Sequence, residues 1–202
     1  AYRWAGETDV FEAIDSVKKR YRIDEKRIVL RGFSMGGAGS WHLGLHHPDK
    51  WCSVGPGAGF TDTKKYQKIT EPLPPWQEAT LHIYDAEDYT LNAFNVPFVA
   101  YGGEDDPQLA ASQRIKESIE QLGVTFTPDG LNATTTDIPF LYLVGPKMGH
   151  QFHPDSRKRA MEFHAAHAAD GISYFHDRVR FTTFTLKYPG AFGYTIRQMF
   201  RH

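Results

Sequence analysis

Apolar positions along this chain follow two rhythms in alternation, one of about 3.6 residues and one of short continuous runs. From Thr8 to about Arg20, the residues Val10, Phe11, Ile14, Val17 and Tyr21 share one helical face, which predicts a helix. Thr8 fits its N-cap, and Asp9 and Glu12 suit the positive end of its dipole. Asp24 and Glu25 predict a polar turn, and the run Arg27 to Arg31 a short strand. Gly32-Phe33-Ser34-Met35-Gly36-Gly37 follows at once and leads into a helical stretch through Trp41 and Leu45, which Pro48 ends. A second strand is expected at Trp51 to Val54, closing on Gly55-Pro56-Gly57-Ala58-Gly59.

Residues 61–95 are less regular and richer in Pro, Tyr and Asp, as expected of an insertion lying over the end of a sheet. Strand character returns at Val96 to Tyr101. A helix from Gln108 to Leu122 follows, with Leu109, Ile115, Ile119 and Leu122 inward and Gly123 as its stop. Phe140 to Val144 reads as a further strand running into Gly145 to Gly149. Asp155 is positioned to cap a last helix through roughly Ala169, which Gly171 ends. The tail, Val179 to Tyr188 and Phe192 to Gln198, predicts a hairpin around Pro189-Gly190. The pattern is that of an α/β fold: a mostly parallel sheet of four strands before residue 150, flanked by helices, with a C-terminal β-hairpin. The expected division is a core over 1–171, holding the insertion at 61–95, and a hairpin extension over 172–202.

Composition adds mostly exclusions. With 202 residues and a net charge of −1, the chain suits one domain and gives no reason to expect nucleic acid or an anionic membrane as partner. No apolar run approaches the roughly 20 residues that span a bilayer. The single cysteine, Cys52, has no internal disulfide partner and leaves the compartment open. No signal peptide is visible, and because the chain opens on Ala1 rather than Met, something upstream is expected to have been removed or left out.

The chemistry concentrates in Gly32-Phe33-Ser34-Met35-Gly36, a G-x-S-x-G pattern between an expected strand and an expected helix. Such a turn must be so tight that the residues two before and two after the serine approach each other, which predicts a need for glycine at both Gly32 and Gly36. Ser34 is then held in a strained backbone conformation with its hydroxyl projecting. The helix start supplies the Met35 N–H as half of an oxyanion hole.

A serine hydroxyl needs a histidine to take its proton, and that histidine needs a carboxylate to orient it. In chain order the acid and then the base are expected on loops after later strands. Glu104, Asp105 and Asp106 compete for the acid; Asp106 is favoured, because it lies a turn's length past the strand and before the next helix, with Asp105 next. Asp85 and Asp88 precede that strand and are poorly placed. Of ten histidines, His42, His46, His47, His164 and His167 fall within helices, His82 in the insertion, and His176 and His202 in the tail. His150, at the end of the last core strand, is the expected base, with His153 as its rival. His46-His47 and His150-x-x-His153 make no convincing metal set, so no metal and no cofactor are expected.

Arg27-Ile28-Val29-Leu30-Arg31-Gly32-Phe33-Ser34-Met35-Gly36-Gly37, Tyr101-Gly102-Gly103-Glu104-Asp105-Asp106-Pro107 and Gly149-His150 resemble the catalytic domain of prolyl-oligopeptidase-like α/β-hydrolases, bacterial peptidase-like and feruloyl-esterase-like hydrolases among them. The resemblance spans about residues 8 to 170, and the elbow is its most specific part. It implies Ser34 as nucleophile, Asp106 as orienting acid and His150 as general base, with small-molecule esters or amides as substrates and no cofactor. It also marks a departure: about four strands that normally precede the helix before the elbow have no counterpart here, nor does the loop that normally donates the second oxyanion N–H. The elbow strand would then lie at a bare sheet edge, which self-association or the C-terminal hairpin folding back is expected to cover. Ester cleavage is expected over peptide cleavage, because an alcohol leaves more readily; a catalytically silent module serving in binding or assembly is the competing class. Within the insertion, Tyr66, Trp76, Tyr84, Tyr89 and Phe94 could wall an apolar acyl or aryl group, and Trp76, Tyr84 and Tyr89 are the substrate-binding candidates; ordinary packing would use the same residues.

Overall fold

A computed structural model describes residues 2–199; Ala1 and residues 200–202, His202 among them, lie outside the described residues. The sheet has six strands in the order β1-β2-β3-β6-β5-β4: β1 Val29–Phe33, β2 Ser53–Gly57, β3 Phe98–Gly103, β4 Thr127–Asp129, β5 Asn132–Thr134 and β6 Phe140–Gly145. The pairs β1–β2, β2–β3 and β3–β6 are parallel, while β4–β5 and β5–β6 are antiparallel. The helices are α1 Ala5–Arg20, α2 Met35–His46, α3 Thr63–Gln67, α4 Pro75–Tyr84, α5 Leu109–Gln121 and α6 Pro154–Asp170.

Alternation along the buried strands sorts the two faces. Phe98 and Ala100 of β3, with Phe140, Tyr142 and Val144 of β6, join Trp41 of α2 and Ile115 of α5 in the larger core. Val99 and Tyr101, with Leu143, face the other way onto Ala160 of α6. Helices α2 and α5 therefore cover one face, and α6 packs on the other. Since β1, β2, β3 and β6 run parallel, their C-terminal ends meet at one edge of the sheet, where the loops carrying Ser34, Asp106 and His150 lie.

Several boundaries differ from the expectation, each for a local reason. Helix α1 starts at Ala5 with Trp4 as N-cap, and the Thr8 hydroxyl instead donates back to the Trp4 carbonyl at 3.4 Å. The early start brings Glu7 inside. Strand β1 begins two residues late, because Asp24 caps a 3-10 turn over Glu25–Arg27. Strand β2 likewise shifts, running through Pro56 to Gly57 in register with Phe33. Leu122 is 40% exposed at the C-cap of α5 rather than inward. Asp155 stands in the first turn of α6, whose N-cap is His153. The β4–β5 hairpin went unseen because its strands are three residues each and largely solvated; the Asp129-Gly130 pair, with Gly130 at φ 62°, marks its turn.

The C-terminal hairpin is present but short, pairing β7 Gly190–Ala191 with β8 Tyr194–Thr195 across Phe192 and Gly193, not around Pro189-Gly190. Among the described residues its two strands pair with each other and form no ladder with β1, so it meets that edge through side chains rather than backbone. Its side chains Ala191 and Phe192 pack instead beside Cys52, Ile172 and Val29. Upstream, Asn92 and Asn95 hold the tail with side-chain amides: Asn92 accepts from Thr182 N at 2.8 Å and donates to its carbonyl at 3.1 Å, and Asn95 accepts from Arg180 N at 3.0 Å.

The tail then closes on Glu7. Tyr188 donates to its carboxylate at 2.8 Å, His47 lies 2.7 Å away, and Lys187 and His42 complete the cluster. Burial pushes the Glu7 carboxyl up, but the bonds from His42, His47, Lys187 and Tyr188 together outweigh it and hold the group well below the carboxylate range. Burial also lowers the pKa of His42 and His46, and that of His164 to about 4, where Arg31 and His167 add to the effect.

All these shifts have one sign. A depressed folded-state pKa means that the unfolded chain binds more protons, so the stabilisation is complete above the unfolded value and is lost on acidification. For the histidines that loss starts as pH falls through 6.5, and for Glu7 below 4.5. The urea midpoint should therefore fall between pH 7 and pH 5, each such histidine contributing up to about 1.4 kcal/mol per pH unit. A midpoint that stays flat or rises over this interval contradicts the assignment of neutral buried histidines.

Candidate active site

The elbow is built on a one-sided close approach. A Cβ on Gly32 would stand 2.2 Å from the Gly36 carbonyl oxygen, whereas one on Gly36 would meet nothing within 4 Å. Only Gly32 is sterically required, which corrects the expectation of a need at both positions: the Gly36 Cβ direction points away from the turn. Between them Ser34 has φ 57° and ψ −117°, a region that residues with a side chain rarely occupy. Its N–H donates to the Gly57 carbonyl of β2 at 2.8 Å, and its carbonyl accepts from Ala38 N at 3.0 Å. Ser34 is the N-cap of α2, yet its side chain makes no capping bond. The hydroxyl lies instead 2.8 Å from His150 Nε2. The Met35 N–H opens α2 in the first turn, where amides lack an intrahelical acceptor.

The carboxylate end is equally defined. Asp106 is 5% exposed, and its Oδ2 lies 2.8 Å from His150 Nδ1. Its other oxygen accepts from Gln108 N at 2.9 Å. The neighbouring acids do different work: Asp105 ties the two loops by its backbone, N to the Met148 carbonyl at 2.8 Å, and Glu104 accepts from Lys147 N at 2.7 Å. Both are exposed. His153 is the N-cap of α6 rather than a partner of Ser34.

Two positioning residues escaped the sequence reading. Tyr101, at the C-terminal end of β3, donates to the Gln151 carbonyl at 2.7 Å and accepts from His153 N at 2.8 Å, while its ring stacks on Phe152 at 3.9 Å. It thereby pins the segment that carries His150. Phe33 packs its ring 5.0 Å from the His150 imidazole. The signal available for both was adjacency, one residue before Gly102 and one before Ser34.

The three aromatic residues expected to bind substrate do not assemble. Tyr89 is fully buried, its ring 3.8 Å from that of His46 and its hydroxyl donating to the Ile83 carbonyl; it belongs to the core. Tyr84 packs edge-on against Trp4 at 5.4 Å. Trp76 is 68% exposed on α4, and no ring contact joins any two of them. The aromatic pair beside the elbow is Phe60 stacked on Tyr66 at 4.1 Å, with Phe60 and Met35 lining one crevice.

The asymmetry of the elbow is testable by thermal unfolding. Gly32→Ala should destabilise by about 1–3 kcal/mol through overpacking. Gly36→Ala should be neutral or mildly stabilising, as Gly to Ala within a helix ordinarily is. Equal losses from both would contradict the one-sided contact.

Comparison with known proteins fits this architecture. Over 83 residues, 41% of the chain, there is 34% identity to the bifunctional acetylxylan esterase/xylanase XynS20E of Neocallimastix patriciarum, of which the match covers 12%. A ferulic acid esterase structure superposes with a TM-score of 0.55 at 19% identity, covering 80% of this chain and 60% of that one. The S-formylglutathione hydrolase FrmB of Staphylococcus aureus superposes with a TM-score of 0.50 at 14% identity, covering 79% of this chain and 58% of the other. The chain thus spans less than two thirds of the length of these relatives, and at such identities the two structures show a shared fold, that of the α/β-hydrolases. The model of the prolyl oligopeptidase family matches residues 5–172. With most of its length under that match, the chain belongs to the prolyl oligopeptidase family.

Proposed function

We propose that the chain is a serine hydrolase that cleaves carboxylic esters through an acyl-enzyme. The observation that carries this reading is the continuous line Ser34 Oγ, His150 imidazole, Asp106 carboxylate, with 2.8 Å at each junction. The acetylxylan esterase and ferulic acid esterase among the relatives support an ester as substrate.

In the first stage Ser34 Oγ attacks the ester carbonyl carbon while His150 Nε2 takes the hydroxyl proton. The carbonyl oxygen gains the negative charge, and the Met35 N–H faces it at the positive end of α2. When the tetrahedral species collapses, the bond to the alcohol oxygen breaks and His150 returns its proton to that oxygen. In the second stage water adds to the acyl-enzyme with its proton passing to His150; the bond from the acyl carbon to Ser34 Oγ then breaks, His150 returns the proton to Oγ, and the acid leaves. His150 Nδ1–H donates to the Asp106 carboxylate throughout, which fixes the tautomer and stabilises the imidazolium. A buried carboxylate whose second oxygen is already satisfied by Gln108 N is suited to that role. An amide substrate is the second reading, favoured by membership of a peptidase family; the ester reading ranks first because an alkoxide is a better leaving group than an amine anion.

Hydrolysis of p-nitrophenyl acetate and butyrate tests the proposal. Ser34→Ala should lower kcat by on the order of 10⁶, and Asp106→Asn by on the order of 10⁴. Equal rates for wild type and Ser34→Ala would instead support a silent binding module. In matched acyl substrates, the ester should be cleaved faster than the p-nitroanilide; the reverse order would favour the peptidase reading.

A further inference from the structure

A cavity that the proposed chemistry leaves unused lies beside the elbow strand, on the face that α6 covers. Helix α6 packs over β2, β3 and β6, and a cavity of about 390 Å³ opens between it and the β1 side of the same face. That volume is within the usual range of small-molecule sites. Phe33, Pro56, Val99, Phe152 and Met161 make its walls apolar. Arg31 and Arg157 also line it, and none of its lining residues is acidic. Among the described residues neither guanidinium is paired with a carboxylate; Arg31 instead meets the Met161 sulfur.

At the floor stands His164, 4% exposed. Its Nδ1 is bonded to the buried Ser53 hydroxyl at 2.8 Å. Its Nε2 lies beside Gly55, where a Cβ would come within 2.4 Å of it, so the glycine makes room for the ring at the cavity wall. No hydrogen bond to Nε2 occurs among the described residues. A buried imidazole with one nitrogen satisfied and the other unused is an unspent polar contact in an apolar site. Burial, with Arg31 and His167 nearby, holds this ring neutral.

We propose that this cavity binds a small apolar carboxylate, its hydrocarbon body against Phe33, Val99, Phe152 and Met161 and its charge met by Arg31 and Arg157, with His164 Nε2 as a further polar contact. Apolar walls without an acid, and two unpaired guanidinium groups, select an anion over its neutral counterpart. Ser34 does not line the cavity, and the inference stands whether or not Ser34 is a nucleophile. The cavity does share two positioning residues with the candidate active site, Phe33 through its ring contact with His150 and Tyr101 through its bonds to Gln151 and His153.

Calorimetric titration with 2-naphthoate against 2-naphthylmethanol tests the proposal on the full chain. The acid should bind roughly ten- to hundredfold more tightly than the alcohol, the range expected for hydrogen bonds to a charged group. Arg157→Gln, on the exposed side of α6, should remove part of that preference, and Arg31→Gln combined with it should remove the rest. The His164 ring resonance should shift on addition of the acid, and binding should persist in Ser34→Ala. Equal affinities for acid and alcohol, or no binding of the acid up to its solubility limit, would overturn the proposal. So would loss of binding after covalent modification of Ser34, which would move the ligand to the elbow, or self-association that blocks the acid, which would assign the cavity to a second copy.

Discussion

The hydrogen bond from the Ser34 amide to the Gly57 carbonyl is the hinge of this structure. It joins the end of β1 to the end of β2 and holds Ser34 at positive φ while α2 starts in the next residue. A strained backbone persists only where its surroundings over-determine it. Here they are the parallel register that places Phe33 opposite Gly57 and the contact between the Gly32 and Gly36 backbones. Without that strain Ser34 would be an ordinary N-cap, and its hydroxyl would turn inward to the helix amides.

The rest of the site follows from parallel order. Strands β1, β3 and β6 end at the same edge, so loops distant along the chain meet there. The acid and histidine loops are then joined by their own backbones, Glu104 to Gly145 and Asp105 to Met148, before any side chain is considered. Tyr101 adds a third tie, from β3 to Gln151 and His153. The imidazole of His150 therefore sits on a braced loop although its side chain is 47% exposed. An open, braced histidine is compatible with taking protons from one partner and passing them to another.

Much of this was legible in the residues. The α/β alternation, the tight turn at Ser34 and the loops that bring Asp106 and His150 beside it all rest on signals carried by the chain itself: glycine spacing, apolar runs and loop position. What escaped depends on long-range packing. Helix α1 starts at Ala5 and carries Glu7 to partners far away in sequence, His47, Lys187 and Tyr188, whereas a local capping rule points to Thr8. Tyr89 lies in an irregular stretch where a substrate wall and ordinary packing use the same residue types, and the tail decides for packing by covering it through Asn92, Asn95 and Tyr188. The β4–β5 hairpin was hidden by its shortness. In each case one-dimensional pattern lacks the information, because burial is decided by a segment that the pattern does not contain.

The central claim is that the Ser34 hydroxyl is activated by His150, and active-site labelling reaches it most directly. After treatment with a fluorophosphonate, the peptide spanning Gly32 to Gly37 should carry the adduct on Ser34, and His150→Ala should slow its formation by orders of magnitude. An adduct on another residue, or labelling of Ser34 at the same rate without the imidazole, would contradict the account.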